Sequence, residues 1–268
     1  MALAGLTGVL STFYAPKNPK TNTATCLLKT IAFAAMLCDH FGKMLFPQYD
    51  WLRCIGRLAL PLFAYCLAVG AAMTHRPLSY LSRVSALALI SQPLYALGLA
   101  HENEAMYAIA FRQNPLASAW QFYVNAWQKP SILLSFALGL AILLCLRERR
   151  FLLALFVYMV CERFSGSLDY GIQGIRFILL CYALLEHPVL YPILTVLFWL
   201  NWSKGSAYHF FGFSFSMRIF GLPAVLLTAI PLRGKLRMPK WISYGFYPAH
   251  LIALAILTHF PTAFKFLK

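Results

Sequence analysis

Apolar segments close to the length of a membrane-spanning helix follow one another along almost the whole chain. They lie at 25–46, 54–74, 80–99, 131–147, 150–164, 171–186, 188–202, 217–232 and 241–261. Because a helix needs about 20 mostly apolar residues to cross a bilayer, these segments predict an all-α, polytopic transmembrane helical bundle of about nine spans, within a range of about eight to ten. A chain of 268 residues then has no room for a large soluble domain as well.

The composition excludes most other classes of protein. Hydrophobic residues make up 60% of the chain and charged residues 12%, which leaves too little polar surface to coat a soluble globule of this size. Lys and Arg number 23 against 8 Asp and Glu, a formal net charge of +15. In a soluble protein that excess would indicate nucleic-acid binding, whereas in a polytopic membrane protein it reflects basic cytoplasmic loops. We therefore expect the lipid bilayer as a partner and no nucleic acid.

The positions of the basic residues predict an orientation in the membrane. On the side of the N-terminus the connecting segments carry Lys17, Lys20, Arg76, Arg83, Arg147, Arg149, Arg150, Arg233, Lys235, Arg237 and Lys240. On the opposite side the basic residues are fewer and are diluted by Glu102, Glu104, Glu162 and Asp169. Since Lys and Arg are retained in cytoplasmic loops, we expect a multi-pass protein with a cytoplasmic N-terminus.

The chain is predicted to hold one transmembrane domain, residues 24–268, preceded by a cytoplasmic or interfacial segment at 1–23. That segment lacks early basic residues and a small-residue cleavage signal, unlike a signal peptide. The seven cysteines lie in or beside apolar runs without a close CxxC pair, which argues against a disulfide framework or a metal site. The stretch 101–130, rich in interfacial aromatic residues, is predicted to be an extramembrane loop.

The first predicted span carries Lys29 and His40, eleven residues apart. At about 100° per residue this spacing ends about 20° past three full turns, so both side chains project from one helix face, with heights that differ by about 16 Å. A lysine near the cytoplasmic end can hold an anionic group, while a deeper neutral imidazole suits a general base. Asp39, one position back, can contribute to the electric field at the histidine. Alternatively, Lys29 and His40 only mark the two ends of a span.

Two arginines at the start of the second span, Arg53 and Arg57, are four residues apart and share a helix face. Two guanidinium groups placed in this way can clamp a phosphate or a carboxylate. Arg57 lies inside an apolar run, where an unpaired charge is costly, and it is therefore a functional candidate. The alternative for both is an interfacial anchor.

Two later segments place further polar side chains at or inside apolar runs. Asp169 lies in a short loop, where its carboxylate can orient a substrate amine or pair with Arg176 in the following run. A structural ion pair explains Arg176 as well. In the last span Pro248 loosens the helix between Tyr247 and His250, and His250 lies deep enough to need a partner. His250 fits a packing hydrogen bond as well as it fits a reactant.

Four stretches of the sequence resemble the TraX family of bacterial inner-membrane proteins. They are LLKTIAFAAMLCDHFGKMLFP, RCIGRLALPLFAYCLAVGAAMT, ISQPLYAL and SYGFYPAHLIALA, and the resemblance covers about residues 24–260. The family is known for N-terminal acetylation of conjugative pilin, and its fimbrial-assembly relatives accompany type IV pilin genes. The resemblance therefore implies a bacterial inner-membrane location and a pilin or fimbrial subunit as the acceptor.

The first span also resembles the wider membrane acyltransferase superfamily, which moves acetyl groups from acetyl-CoA onto glycans or amines. The hallmark of that superfamily, a basic residue and then a histidine after ten intervening residues, matches Lys29 and His40. Its following basic pair is similar to Arg53 and Arg57, which have one more intervening residue than the usual pattern.

The resemblance implies acetyl transfer from acetyl-CoA, with no metal expected. His40 would take a proton from the acceptor or carry the acetyl group itself, and its catalytic neighbours would be Asp39 and Arg57. Basic residues would hold acetyl-CoA, namely Lys29, Arg53, Arg76, Arg147 and Arg150. The acceptor would be held by Asp169, Arg176, Tyr247 and His250.

Three alternatives stay open from the sequence alone. The acceptor can be a glycan hydroxyl instead of an amine. Second, Arg57, Arg176, Asp169 and His250 can line a transport path, although no repeated halves are recognisable. Third, the intramembrane charges can simply hold helices together in a non-catalytic pilus-assembly partner.

Overall fold

Helices account for most of the computed structural model, which describes residues 10–99, 114–210, 212–234, 236 and 238–259. The α-helices are α1 Thr25–Met44, α2 Asp50–Gly56, α3 Ala59–Met73, α4 Pro77–Leu99, α5 Pro115–Ala126, α6 Ile132–Arg147, α7 Phe151–Arg163, α8 Gly171–Ala183, α9 Leu190–Trp202, α10 Leu222–Ala229 and α11 Lys240–His259. Short 3₁₀ helices lie at Ser165–Ser167 and Met217–Gly221. Each predicted apolar segment contains a helix, so the mostly helical architecture is confirmed.

Helix α3 lies in the middle of the fold. It packs against α1, α6, α8 and α10, and most of its 15 residues are buried. A helix that is apolar on all sides is buried in a protein core or in a membrane. Because α1 and α8 pack directly on α3, their polar residues are brought toward a common interior.

Two glycines allow α1 and α2 to approach closely. A Cβ atom added at Gly42 would come within 2.8 Å of Leu52 Cβ, and one added at Gly56 would collide with the side chain of Asp39. Larger residues at either position would push the two helices apart. This close approach places the end of α2, and with it Arg57, directly beside Asp39.

Helix α5 lies within the stretch 101–130, which the sequence predicts as a loop. Residues 100–113 lie outside the described part of the chain. The helix begins at a strong start signal, because the Asn114 side chain accepts a hydrogen bond from the first turn and Pro115 occupies the first helical position. Trp120 stays exposed, whereas Ser118 and Ala126 are buried.

A small β-hairpin departs from the all-α prediction. Strands β1 Lys204–Phe210 and β2 Phe213–Phe215 are antiparallel, and Gly212 in the turn has a φ of +80° that favours glycine. Both strands are mostly exposed. They are too short for their alternation to stand out beside the long apolar runs.

The segment before α1 is packed against the helices where the structure describes it. Thr21 and Asn22 are fully buried. Thr21 Oγ1 lies 2.7 Å from the Tyr65 hydroxyl, and Asn22 Nδ2 donates to the carbonyl oxygen of Leu227 at 3.1 Å. These bonds close the end of the bundle at which α1 begins. The interfacial location expected for residues 1–23 stays a prediction.

One helical stretch in the described part of the chain is both long and apolar enough to cross a membrane. It is Asp50–Met73, 24 residues that comprise α2, α3 and the two residues between them. Shorter apolar helical stretches lie at Ile132–Arg147, Gly171–Ala183, Leu190–Trp202 and Met217–Ala229. The count of about nine spans therefore stays a prediction.

Candidate functional site

Two cavities lie along α1. The large cavity has a volume of about 640 Å³ and is lined by His40, whereas the narrow cavity has a volume of about 120 Å³ and is lined by Lys29. Both cavities are lined by Met36, Phe63, Ile132, Phe136 and Tyr247. We call these shared side chains the junction. Lys29 and His40 therefore line neighbouring cavities, and the junction side chains lie between these cavities.

A pair of histidines from distant parts of the chain meets beside the large cavity, and His40 of this pair lines it. His40 on α1 and His250 on α11 are buried, and His40 Nδ1 lies 2.7 Å from His250 Nε2. The two rings are stacked, with centroids 4.9 Å apart. On the other side of its ring, His250 Nδ1 lies 2.9 Å from the carbonyl oxygen of Phe246, one turn earlier in α11.

This chain of hydrogen bonds fixes the tautomers of the two neutral rings. A carbonyl oxygen only accepts, so His250 carries its proton on Nδ1 and its Nε2 has a lone pair. His40 must then donate from Nδ1, which leaves the lone pair of His40 on Nε2. Since His40 lines the large cavity, the site holds an oriented imidazole base, with His250 in the position that a carboxylate often occupies in other enzymes.

Arg57 lies beside this pair and is held on three sides. Its Nη2 forms an ion pair with Asp39, its Nη1 donates to the Tyr170 hydroxyl at 3.2 Å, and its Nε donates to the carbonyl oxygen of Arg53 at 3.2 Å. Helix α2 ends at Gly56, so Arg57 follows the helix instead of continuing its face. Arg57 is thus an oriented cation in the cavity wall, already neutralised by Asp39.

Asp169, in the loop between α7 and α8, opens to the large cavity. The surrounding protein desolvates its carboxylate and raises the pKa of Asp169 to about 6, while the cations of Arg57 and Lys43 act in the opposite direction. Such a carboxylate can accept hydrogen bonds from an amine. Nowhere in the described chain do three or more His, Cys, Asp or Glu side chains cluster as metal ligands would.

Arg176 makes its ion pair with Glu162, with Nη2 and Oε2 3.0 Å apart, and donates from Nε to the Tyr158 hydroxyl at 2.8 Å. The pairing with Asp169 considered from the sequence is therefore wrong. Arg176 points toward α7, which carries both of its partners, whereas Asp169 opens to the cavity.

Some predicted binding residues lie away from both cavities. Among the described lining residues there is no Arg76, Arg147, Arg150, Arg176 or His250; the last of these contacts His40, which does line the large cavity. Arg147 Nη1 donates to the carbonyl oxygens of Ala71 and Thr74 at 2.8 and 2.9 Å, and so ties α6 to the end of α3. The predicted residues that do line the large cavity are Asp39, His40, Arg53, Arg57, Asp169 and Tyr247.

Several polar residues of the large cavity were missed from the sequence. They are Lys43, Tyr95, Tyr170 and Arg218. Lys43 lies one turn beyond His40 and Tyr170 directly follows Asp169, so their spacing was a usable signal. Tyr95 and Arg218 come from distant segments, and no local pattern marks them.

Fold and site define a mostly helical protein in which imidazole and charged side chains from distant segments meet around an internal cavity. The chain belongs to the TraX family, since the model of the family described as TraX protein matches residues 24–258. This family is membrane-associated.

Two curated relatives match shorter stretches. The chain is 30% identical over 158 residues to "Probable fimbrial assembly protein FimC, serogroup H1" of Dichelobacter nodosus, which is 57% of this chain and 59% of that protein. It is 49% identical over 39 residues to "Uncharacterized protein RP591" of Rickettsia prowazekii (strain Madrid E), 15% of this chain and 16% of that protein. Both matches thus span less than two thirds of the relative. No solved structure matches the chain.

Proposed function

We propose that this protein is an integral membrane acetyltransferase that moves an acetyl group from acetyl-CoA to the N-terminal amine of a pilin or fimbrial subunit. Membership of the TraX family, which is associated with pilin acetylation, supports the proposal. So does the similarity to a probable fimbrial assembly protein. The observation behind it is the His40–His250 pair, in which His40 lines a large cavity that shares the junction residues with a second cavity lined by Lys29.

The narrow cavity suits the donor. Lys29 is a cation at the entrance side, and the other lining residues are apolar or uncharged. A CoA phosphate would be held by Lys29, and the long uncharged arm of the donor would pass the junction toward His40. Along α1 the distance from Lys29 to His40 is about 16 Å, which an extended arm has to cover.

The large cavity suits the transfer step. The neutral amine nitrogen attacks the thioester carbonyl carbon, so a C–N bond forms while the C–S bond to CoA breaks. His40 Nε2 takes the proton that the amine loses and delivers it to the departing thiolate. His250 Nε2 accepts from His40 Nδ1 throughout, which holds the tautomer and stabilises the imidazolium. Arg57, fixed by Asp39, would stabilise negative charge on the carbonyl oxygen.

The surface of α7 supports a location in the membrane. Leu152, Phe156 and Met159 lie on one helix face and are 84, 65 and 58% exposed. An exposed apolar face of this kind fits contact with lipid. We place the protein in the bacterial inner membrane as a multi-pass protein, with the N-terminus and the Lys29 end on the cytoplasmic side.

The direct experiment incubates the purified full chain with isotopically labelled acetyl-CoA and a pilin that has a free N-terminus. Mass spectrometry of the N-terminal peptide should show one labelled acetyl group. Pilin from a strain lacking this protein should lose the same acetyl group in vivo. Label on a glycan instead of the amine would favour the O-acetyltransferase alternative, and no transfer at all would favour an assembly or transport role.

The matched variants are His40→Ala and His209→Ala. His209 lies exposed on the β-hairpin and lines neither cavity. His40→Ala should reduce transfer by about a thousandfold at unchanged membrane abundance, because the base is removed. His209→Ala should keep wild-type activity. Full activity of His40→Ala would contradict the assignment of the base.

A further inference from the structure

The large cavity carries more positive charge than the proposed reaction uses. Its described charged lining residues are Lys43, Arg53, Arg57, Arg218, Asp39 and Asp169. Arg57 is neutralised by Asp39 in an ion pair. Three cations remain, namely Lys43, Arg53 and Arg218, which we call the cation cluster. The other carboxylate in the described lining is Asp169.

No carboxylate of the described residues forms an ion pair with the cation cluster, although Lys43 and Asp169 interact electrostatically across the cavity. Lys43 Nζ donates to the carbonyl oxygen of Leu99 at 3.0 Å. The Arg218 guanidinium lies 5.6 Å from the centre of the Trp202 ring. Arg53 Nε is buried and has no hydrogen-bond partner. Buried N–H groups are normally bonded, so the exception at Arg53 marks a place where a ligand can complete the bonding.

The cluster is also assembled from three separate elements. Lys43 ends α1, Arg53 lies on α2, and Arg218 lies on the 3₁₀ helix that packs against α2. Bringing like charges together opposes folding unless an anion binds between them. Arginine forks bind carboxylates through paired hydrogen bonds. The three cations line the same cavity as His40 and can bind an anionic group that enters it.

We propose that the cation cluster binds an acidic side chain of the acceptor, close in sequence to the N-terminal amine that is acetylated. This rests on the proposed function and narrows its substrate class to peptide N-termini that carry a carboxylate. A cavity of about 640 Å³ is of the size that takes a small ligand or a short chain terminus. Asp169 in the same cavity offers a hydrogen-bond acceptor to the N-terminal amine. The amine and the acidic side chain of the acceptor thus each have a partner of complementary charge, Asp169 and the cation cluster.

The test uses two synthetic hexapeptides with free N-termini, identical except for one glutamate or glutamine near the N-terminus. Each carries a dye at its C-terminus, and binding to the full chain is measured by fluorescence anisotropy without acetyl-CoA. The acidic peptide should bind about tenfold more tightly, as expected for a charge-assisted hydrogen bond. Arg53→Gln and Arg218→Gln should each remove most of this difference. Arg163→Gln, an exposed arginine outside the cavity lining, should keep it.

Acetyl transfer to the two peptides is measured in parallel. Equal binding of both peptides would overturn the inference, as would a preference that survives the loss of Arg53 and Arg218. Tighter binding of glycerophosphoethanolamine, with no preference between the peptides, would overturn it in favour of a lipid headgroup. A higher KM for acetyl-CoA instead of weaker peptide binding in Arg53→Gln would assign the cluster to the donor. Peptide preference without any acetylation would retain the site and reject the proposed function.

Discussion

The large and the narrow cavity share the junction but differ in nearly every other respect. The large cavity holds four cations, two carboxylates and the histidine His40 in its described lining, whereas Lys29 is the one charged residue that lines the narrow cavity. Their volumes are about 640 and 120 Å³. A buried charge is costly without a partner, so polar residues are concentrated where partners or ligands meet them. Under the proposed function, the large cavity is the place of the transfer step and the narrow cavity takes the uncharged arm of the donor.

Apart from the loss of His40 itself, the largest effect should follow from removing its partner, His250. His250→Ala leaves the tautomer of His40 unfixed, and kcat should fall about a hundredfold, within the range for acid–base catalysis. His250→Gln keeps an oxygen that can accept from His40 Nδ1 and should recover most of this loss. The measurement is kcat and its pH dependence in both variants. Equal losses in the alanine and glutamine variants would show that His250 only fills space.

The next largest effect should come from the junction. Phe63 lines both cavities, and its ring centre lies 5.1 Å from that of Phe33 and 6.4 Å from that of Phe136. Phe63→Trp adds bulk between the cavities and should reduce acetyl transfer about tenfold while peptide binding is kept. Phe198→Trp, outside both cavities, controls for general overpacking. Unchanged transfer in Phe63→Trp at normal thermal stability would show that the donor does not pass between the two cavities at Phe63.

A smaller effect is expected at the entrance of the narrow cavity. Lys29→Ala should raise the KM for acetyl-CoA about tenfold with little change in kcat, because one charged contact to the donor is lost. Lys17→Ala, an exposed lysine at the same end of the bundle, should leave the KM unchanged. Steady-state kinetics at several acetyl-CoA concentrations measure both constants. A selective loss of peptide binding in Lys29→Ala would reverse the assignment of donor and acceptor cavities.

The smallest effect should be a change in pH dependence. Burial raises the pKa of Asp169 to about 6, so its carboxylate forms as the pH rises through that value. If the carboxylate holds the acceptor amine, kcat/KM should show a rising limb near pH 6 in the wild type. Asp169→Asn should lose this limb and be a few times less active at neutral pH. A limb that persists in Asp169→Asn belongs to another group.

Protonation of Asp169 also affects stability in a defined direction. A raised pKa means that the folded state binds the proton more tightly than the unfolded chain. The contribution of Asp169 to stability is therefore greatest below the pKa of the unfolded chain and is lost as the pH rises through about 6. Thermal unfolding of the wild type and Asp169→Asn across this range measures the difference.

The helices and the shared face of α1 could be predicted because both depend on local pattern. Long apolar runs favour helices, and the spacing of Lys29 and His40 fixes their relative direction on one helix. The hairpin could not be predicted in the same way. Its strands are short, and the signal comes from a turn glycine instead of a long periodic run.

The contacts that make the site depend on the tertiary fold. His40 and His250 are 210 positions apart, and no local sequence pattern in either segment indicates that they are in contact. Arg57 was expected to act with Arg53, yet its ion-pair partner is Asp39, because Gly56 allows α2 to lie directly against α1. Arg176 differs from Arg57. It lies in an apolar run of the sequence, but it pairs with Glu162, away from the cavity. The sequence identifies charged residues in apolar runs as functional candidates, but only the packing of the helices determines which of them are in contact.

The proposed function assigns the donor to the Lys29 cavity and the acceptor to the large cavity, and we expect the two substrates to reach His40 from opposite sides of the membrane. The most direct measurement uses proteoliposomes with acetyl-CoA sealed inside and the acidic peptide added outside. Protection of an N-terminal tag from added protease shows that the Lys29 end of the protein faces the lumen. We expect acetylated peptide outside the vesicles with the wild type and none with His40→Ala. Product formed only when acetyl-CoA and the peptide are on the same side of the membrane would contradict it.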